Sequence, residues 1–298
     1  HNIIDSICNI LTILLQDGRT ISSAPFMCAD VTKTCAVNAF LGSQTFTVSW
    51  MQPMISFNCN CVEKQGMQER IYSFVKVQKQ VTGSEPTTEP VEVTVTDVPF
   101  TNITVNSQAY YSKFIWPAAV VLSSFTVYRP ELFVNKRVLE LGAGKALCSL
   151  TAKAVGARSV VATDFDSNDD DVNENRVPVR QLRWGEFNKQ TIDLLCFNND
   201  DNLDIILGSD LFYEEMQETD TIVEEKIDRV LSMVVLAKQR NPDLMFICSA
   251  VIRTFDQYQR FLQSLCNWKL EVLHKYTPQQ FIQNYTSEHN DIEILLIR

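Results

Sequence analysis

Residues 100–298 predict an α/β domain built on an open, mostly parallel sheet, preceded by an accessory segment in residues 1–99 made of a helix and a β-rich stretch. Three observations predict it. From Arg137 onward, short apolar runs alternate with segments of helical periodicity, the pattern of a parallel sheet covered on both faces. The first run ends in Gly142-Ala143-Gly144, a turn placed where a strand gives way to a helix. The last two apolar runs, 269–274 and 292–297, read as an antiparallel pair closing one sheet edge.

Taken in order, Ile3, Ile4, Ile7, Ile10, Leu11, Leu14 and Leu15 recur at helical spacing and predict one amphipathic helix. Its 13 residues from Ile3 to Leu15 fall short of the ~20 that cross a bilayer, so no membrane span is expected. Residues 45–50, 55–61 and 71–77 predict a hairpin or meander. Residues 82–90, TGSEPTTEP, have linker composition, and Val91, Val93 and Val95 then resume strand alternation. Within the α/β domain, strands are expected at 138–141, 159–163, 203–207 and 244–250. Leu147, Leu150, Thr151, Ala154 and Val155 line one helical face before Gly156. Ile227, Val230, Leu231 and Val234 line a second, which stops at Asn241-Pro242; Phe255, Tyr258, Phe261 and Leu265 line a third.

Lys and Arg number 26 against 36 Asp and Glu, a net charge of −10 that argues against a surface tracking nucleic-acid phosphates and suits a basic protein partner. The nine cysteines are odd in number and several sit in apolar runs, which points to free thiols in a reducing compartment, cytoplasmic or nuclear. Cys59 and Cys61 form the one close pair and the only histidines are His1, His274 and His289, so no metal site is expected.

In Glu140-Leu-Gly-Ala-Gly144 the glycines let a ligand approach the backbone, and the helix that follows offers unpaired N–H groups. Leu147 stands where a dinucleotide fingerprint G-x-G-x-x-G needs glycine, which disfavours a nicotinamide cofactor. Asp164 ends the second strand 20 residues beyond Gly144, where an acid can accept hydrogen bonds from a ribose diol. Asp210 follows a run so apolar that its carboxylate must emerge at the same rim.

Together with IWPAAVVL at 115–122, the stretches VLELGAG, VVATDFD, LRWG at 182–185 and GSDLFYEE at 208–215 resemble the seven-β-strand, Rossmann-like protein methyltransferases that carry a D-x-x-Y motif. The resemblance covers about residues 100–298 and implies S-adenosylmethionine as cofactor. It implies cofactor contact by Trp116, Glu140, Gly142, Ala143, Gly144, Asp164, Trp184 and Ser209, and catalytic roles for Asp210 and Tyr213 on the substrate side. The substrate it implies is a protein lysine or arginine side chain, with chaperone or chromatin partners. A lysine would need its proton removed, which Asp210 and Tyr213 could assist; an arginine would need carboxylates around its guanidinium, and Asp210, Glu214 and Glu215 fit that as well. One departure stands out: only 12 residues separate Asp164 from Val177, and among them only Phe165 and Val172 are large and apolar, too few for the packed crossover helix that family members carry. That shortening is what an inactive cofactor-binding scaffold would show.

Overall fold

The computed structural model describes residues 36–41, 44–49, 54–64, 67–77, 91–97, 114–165, 177–196, 202–212, 220–286 and 291–298. The chain divides into two compact units, 1–50 and 51–298. In the first, β1 (Ala36–Leu41) and β2 (Gln44–Ser49) pair as an antiparallel hairpin. The helix expected at 3–15 lies outside the described residues.

In the second unit, β3 (Met54–Lys64), β4 (Met67–Val77) and β5 (Val91–Asp97) form an antiparallel meander; the expected pairing of 55–61 with 71–77 is present, but its third strand is β5 and not residues 45–50, of which 45–49 pair with β1 instead. Then follow α1 (Pro117–Tyr128), β6 (Arg137–Leu141), α2 (Leu147–Ala154), β7 (Ser159–Asp164), β8 (Val179–Gln181), α3 (Lys189–Cys196), β9 (Ile205–Ser209), α4 (Asp220–Arg240), β10 (Met245–Ile252), α5 (Phe255–Asn267), β11 (Val272–Tyr276) and β12 (Asp291–Ile297). Seven of these strands make one sheet in the order β11-β12-β10-β9-β6-β7-β8. The pairs from β10 through β9, β6 and β7 to β8 are parallel, and β12 runs antiparallel to both β10 and β11. The order reverses between β6 and β9, the switch point where an open α/β sheet binds its ligand.

Strand periodicity sorts the core into two faces. Val138 of β6 packs with Val121, Leu122 and Phe125 of α1 and Leu147 and Leu150 of α2. Leu139 and Leu141 pack with Leu195 of α3, Ile227, Val230 and Leu231 of α4, and Phe261 and Leu265 of α5. The meander joins the first face: Ile55, Tyr72, Phe74 and Val93 are buried in that cluster, and the Ile55 N–H donates to the Phe281 carbonyl while the Gln283 N–H donates to that of Ile55. The strands β3, β4 and β5, read from sequence as part of an accessory segment, thus belong to the same compact unit as the seven-stranded sheet.

Several strand ends shift by a few residues, as in β9 at Ile205–Ser209 against the expected 203–207, and two departures have a physical cause. The strand expected at 269–274 begins at Val272, because α5 runs to Asn267 and closes on Lys269 at φ 57, with the Leu270 N–H returning to the Leu265 carbonyl at 2.8 Å. That hydrogen bond and the burial of Leu270 are a helix stop, in which the left-handed residue, here lysine, turns the chain away. The edge strand β8 has three residues and no apolar run to announce it. Among the described residues no helix is long and apolar enough to cross a membrane.

Candidate functional site

The helix α2 starts without the usual help. Its N-cap residue is Ala146, at φ 58 and with no side chain able to cap. Glu140 does the capping from the neighbouring strand: one carboxylate oxygen accepts from the Ser149 N–H at 2.8 Å and from its hydroxyl at 2.5 Å. The alternation that puts Leu139 and Leu141 on one face of the sheet puts Glu140 on the α2 face, where it is 1% exposed and its other oxygen has no partner. Burial raises its carboxyl to about 7, against the pull of the Ser149 bonds. Burial likewise pushes the neighbouring Cys148 thiol well up, with Glu140 adding to it, which disfavours the thiolate form.

Above this buried acid the chain turns through Gly142 and Gly144, at φ 61 and φ 50. Gly142 leaves no room for a side chain: a Cβ there would lie 2.9 Å from the Trp184 ring and 3.0 Å from Leu211. Asp164 at the end of β7 braces the turn, with one oxygen accepting from the Gly144 N–H and the other from the Phe165 N–H, each at 2.7 Å. Beyond it the Arg183 guanidinium lies over the Phe165 ring at 4.7 Å.

Across the sheet switch point, β9 ends in Ser209 and the chain enters Asp210 at φ 52. The Asp210 N–H donates to the Ser249 carbonyl of β10, and both of its carboxylate oxygens accept from Arg253, at 2.7 and 2.6 Å. The α1 end of the site is fixed by buried Ser249, whose hydroxyl donates to the Ala118 carbonyl at 3.0 Å.

These segments enclose one cleft of about 500 Å3. Of the residues singled out from sequence, Trp116, Gly142, Ala143, Gly144, Asp164, Trp184, Ser209 and Asp210 all line it. Glu140 does not: it lies behind the turn and supports α2, a corrected placement that follows from strand alternation. Tyr213, Glu214 and Glu215 lie outside the described residues, as does 166–176. Residues the sequence reading passed over also line the cleft, Arg253, Phe165, Arg183, Lys226 and Arg229 among them. Of these, Arg253 alone had a signal, its place at the C-terminal end of an apolar strand. The net negative charge of the chain is not concentrated here: Lys145, Arg183, Lys226, Arg229 and Arg253 face Asp164, Glu186 and Asp210. Among the described residues no group of three His, Cys, Asp or Glu side chains is placed to hold a metal.

The cleft suits a nucleoside carrying an amino-acid tail. Its size lies within the ~300–1,000 Å3 of small-molecule sites, and its floor is the Gly142-Ala143-Gly144 turn flanked by an acid and by aromatic faces. Comparison with known proteins agrees. The family model described as lysine methyltransferase matches residues 99–265. A histone-arginine methyltransferase METTL23 of Xenopus laevis is 30% identical over 217 residues, covering 70% of this chain and 80% of its own. The protein N-terminal and lysine N-methyltransferase EFM7 of Candida glabrata is 34% identical over 128 residues, 38% of this chain and 48% of its own. The mouse protein-lysine methyltransferase METTL21E is 33% identical over 116 residues, 35% and 46% of the two chains. With the sheet order, the glycine turn and these matches in hand, the chain belongs to the lysine methyltransferase family and is an S-adenosylmethionine-dependent protein methyltransferase.

Proposed function

We propose that the target is an arginine side chain of a basic protein, methylated at the Asp210 end of the cleft. The observation that carries this is the placement of two acids on one rim, Asp164 beside the glycine turn and Asp210 across the switch point from it. S-adenosylmethionine, when bound, supplies an electrophilic methyl group on a sulfonium, so the protein's task is to bind, orient and exclude water. In this reading Gly142, Ala143 and Gly144 admit the amino-acid portion, Asp164 meets the ribose hydroxyls, and Trp116, Trp184 and Ser209 close the walls. Asp210 presents an anion to the target's cationic side chain.

Both Asp210 oxygens already accept charged hydrogen bonds from Arg253, so its role is that of an anchoring acceptor rather than a proton acceptor. That favours a guanidinium, which needs to be held in plane and oriented, over an ammonium, which must first be deprotonated. The match covering most of the chain is to a protein named for histone arginine, whereas those named for lysine cover shorter stretches. A chromatin or chaperone partner in the nucleus or cytoplasm belongs to the same proposal; the net charge of −10, carried outside the cleft, favours a basic partner over the rest of the surface. The test is incubation with isotopically labelled S-adenosylmethionine and acid-extracted histones, followed by mass spectrometry of the labelled residue. Methylarginine is expected; label on lysine alone overturns the target class, and no label overturns this substrate.

A further inference from the structure

Asp210 is held from two sides by a single strand. Its backbone occupies the left-handed region at φ 52, which a non-glycine residue keeps only when its surroundings hold it there. Those surroundings are the end of β10: the Ser249 carbonyl takes the Asp210 N–H, and Arg253, one residue past the strand, forks onto the carboxylate through Nη1 and Nη2. The Asp210 side chain is 10% exposed and Arg253 30%, and both line the cleft. A carboxylate offers about four in-plane acceptor positions, of which an end-on guanidinium fork fills two. No hydrogen bond among the described residues fills the other two, which lie in a plane the fork has fixed and suit a substrate.

We propose that Arg253 is a positioning residue for methyl transfer: it fixes the Asp210 carboxylate so that the target's N–H is gripped and its nitrogen lone pair is aimed into the cleft. This rests on the reading above, in which Asp210 meets the target side chain. In the transfer the nitrogen lone pair forms the N–C bond, the C–S bond breaks with its electrons going to sulfur, and the surplus proton on nitrogen passes to water. Arg253 takes no part in those bond changes and sets only the geometry in which they occur. Were Arg253 instead to block the place of a substrate guanidinium, its removal would speed transfer rather than slow it.

The experiment compares R253K, R253M, D210N and the double variant D210N/R253M for S-adenosylhomocysteine binding by calorimetry and for kcat and KM with acid-extracted histones. In R253M, kcat/KM should fall on the order of 10²-fold, the scale of a roughly 1 Å misplacement, with S-adenosylhomocysteine affinity held within about twofold. R253K should recover part of the rate, to within roughly tenfold of the unmodified chain, since an ammonium keeps the charge but not the fork. The double variant should be no slower than D210N alone, because the pair acts as a unit. If R253M loses S-adenosylhomocysteine binding through misfolding, R253K carries the test, and a full rate there overturns the inference. A lower KM or faster turnover in R253M overturns it in favour of the blocking role, and losses that multiply in the double variant overturn it too. Transfer by the unmodified chain with undiminished transfer by R253M sinks the inference alone. No transfer to histones by an unmodified chain that binds S-adenosylhomocysteine sinks the functional reading, and the inference with it.

Discussion

The two sides of the cleft are built from different materials. On the β6 and β7 side the wall is largely the backbone of the turn through Gly142 and Gly144, pinned by Asp164 and backed by Glu140. On the β9 and β10 side the wall is made of side chains, an Asp210–Arg253 ion pair and Leu211, with α4 contributing Lys226 and Arg229. A turn made of backbone cannot be retuned by substitution without breaking its φ angles, so it suits the part of the reaction that does not change. An ion pair and a ring of long side chains can be altered one residue at a time, which suits the part that differs between substrates.

The largest effect that would break this contrast is expected at the turn. G142A forces a Cβ to within 2.9 Å of Trp184 at a φ of 61, so S-adenosylhomocysteine affinity should fall ~10²-fold or more, and an unchanged titration would remove the turn from the site. Next comes D210N, which keeps shape but loses the anion: kcat/KM should drop by about 10²-fold while S-adenosylhomocysteine affinity changes only a few-fold. D164A should weaken cofactor binding by roughly 1 to 3 kcal/mol. It should also lower the melting temperature by a few degrees, because the carboxylate accepts two backbone hydrogen bonds that a residue serving only the ligand would not make.

The smallest expected effect is a pH dependence of stability. Glu140 has a folded value near 7 against an ordinary value of 4.5, so the unfolded chain gives up this proton first as pH rises. Its contribution therefore turns against the fold between pH ~4.5 and ~7 and stays unfavourable above. The melting temperature of E140Q relative to the unmodified protein should rise across that window, and a flat difference would show that the buried acid does not titrate there.

Much of this was legible in the sequence, for reasons that can be named. Strands buried on both faces leave uninterrupted apolar runs, so β6, β7, β9 and β10 stood out, and the turn glycines marked the first crossover. β8 was invisible because Val179-Arg180-Gln181 is too short and too polar to carry a period. Glu140 looked like a ligand contact because it stands in the glycine motif; only the alternation along β6, together with the alanine at the helix cap, explains why it turns inward. Arg253 was missed because its partner lies 43 residues away and an arginine after a strand usually reaches to solvent.

The most direct test of the division between the two sides is to measure S-adenosylhomocysteine affinity and methyl transfer to histones together on D164A and D210N. D164A should lose affinity and retain turnover at saturating cofactor, whereas D210N should keep affinity and lose turnover. Parallel losses of both quantities in both variants would mean that one interconnected site, and not two separable sides, carries the reaction.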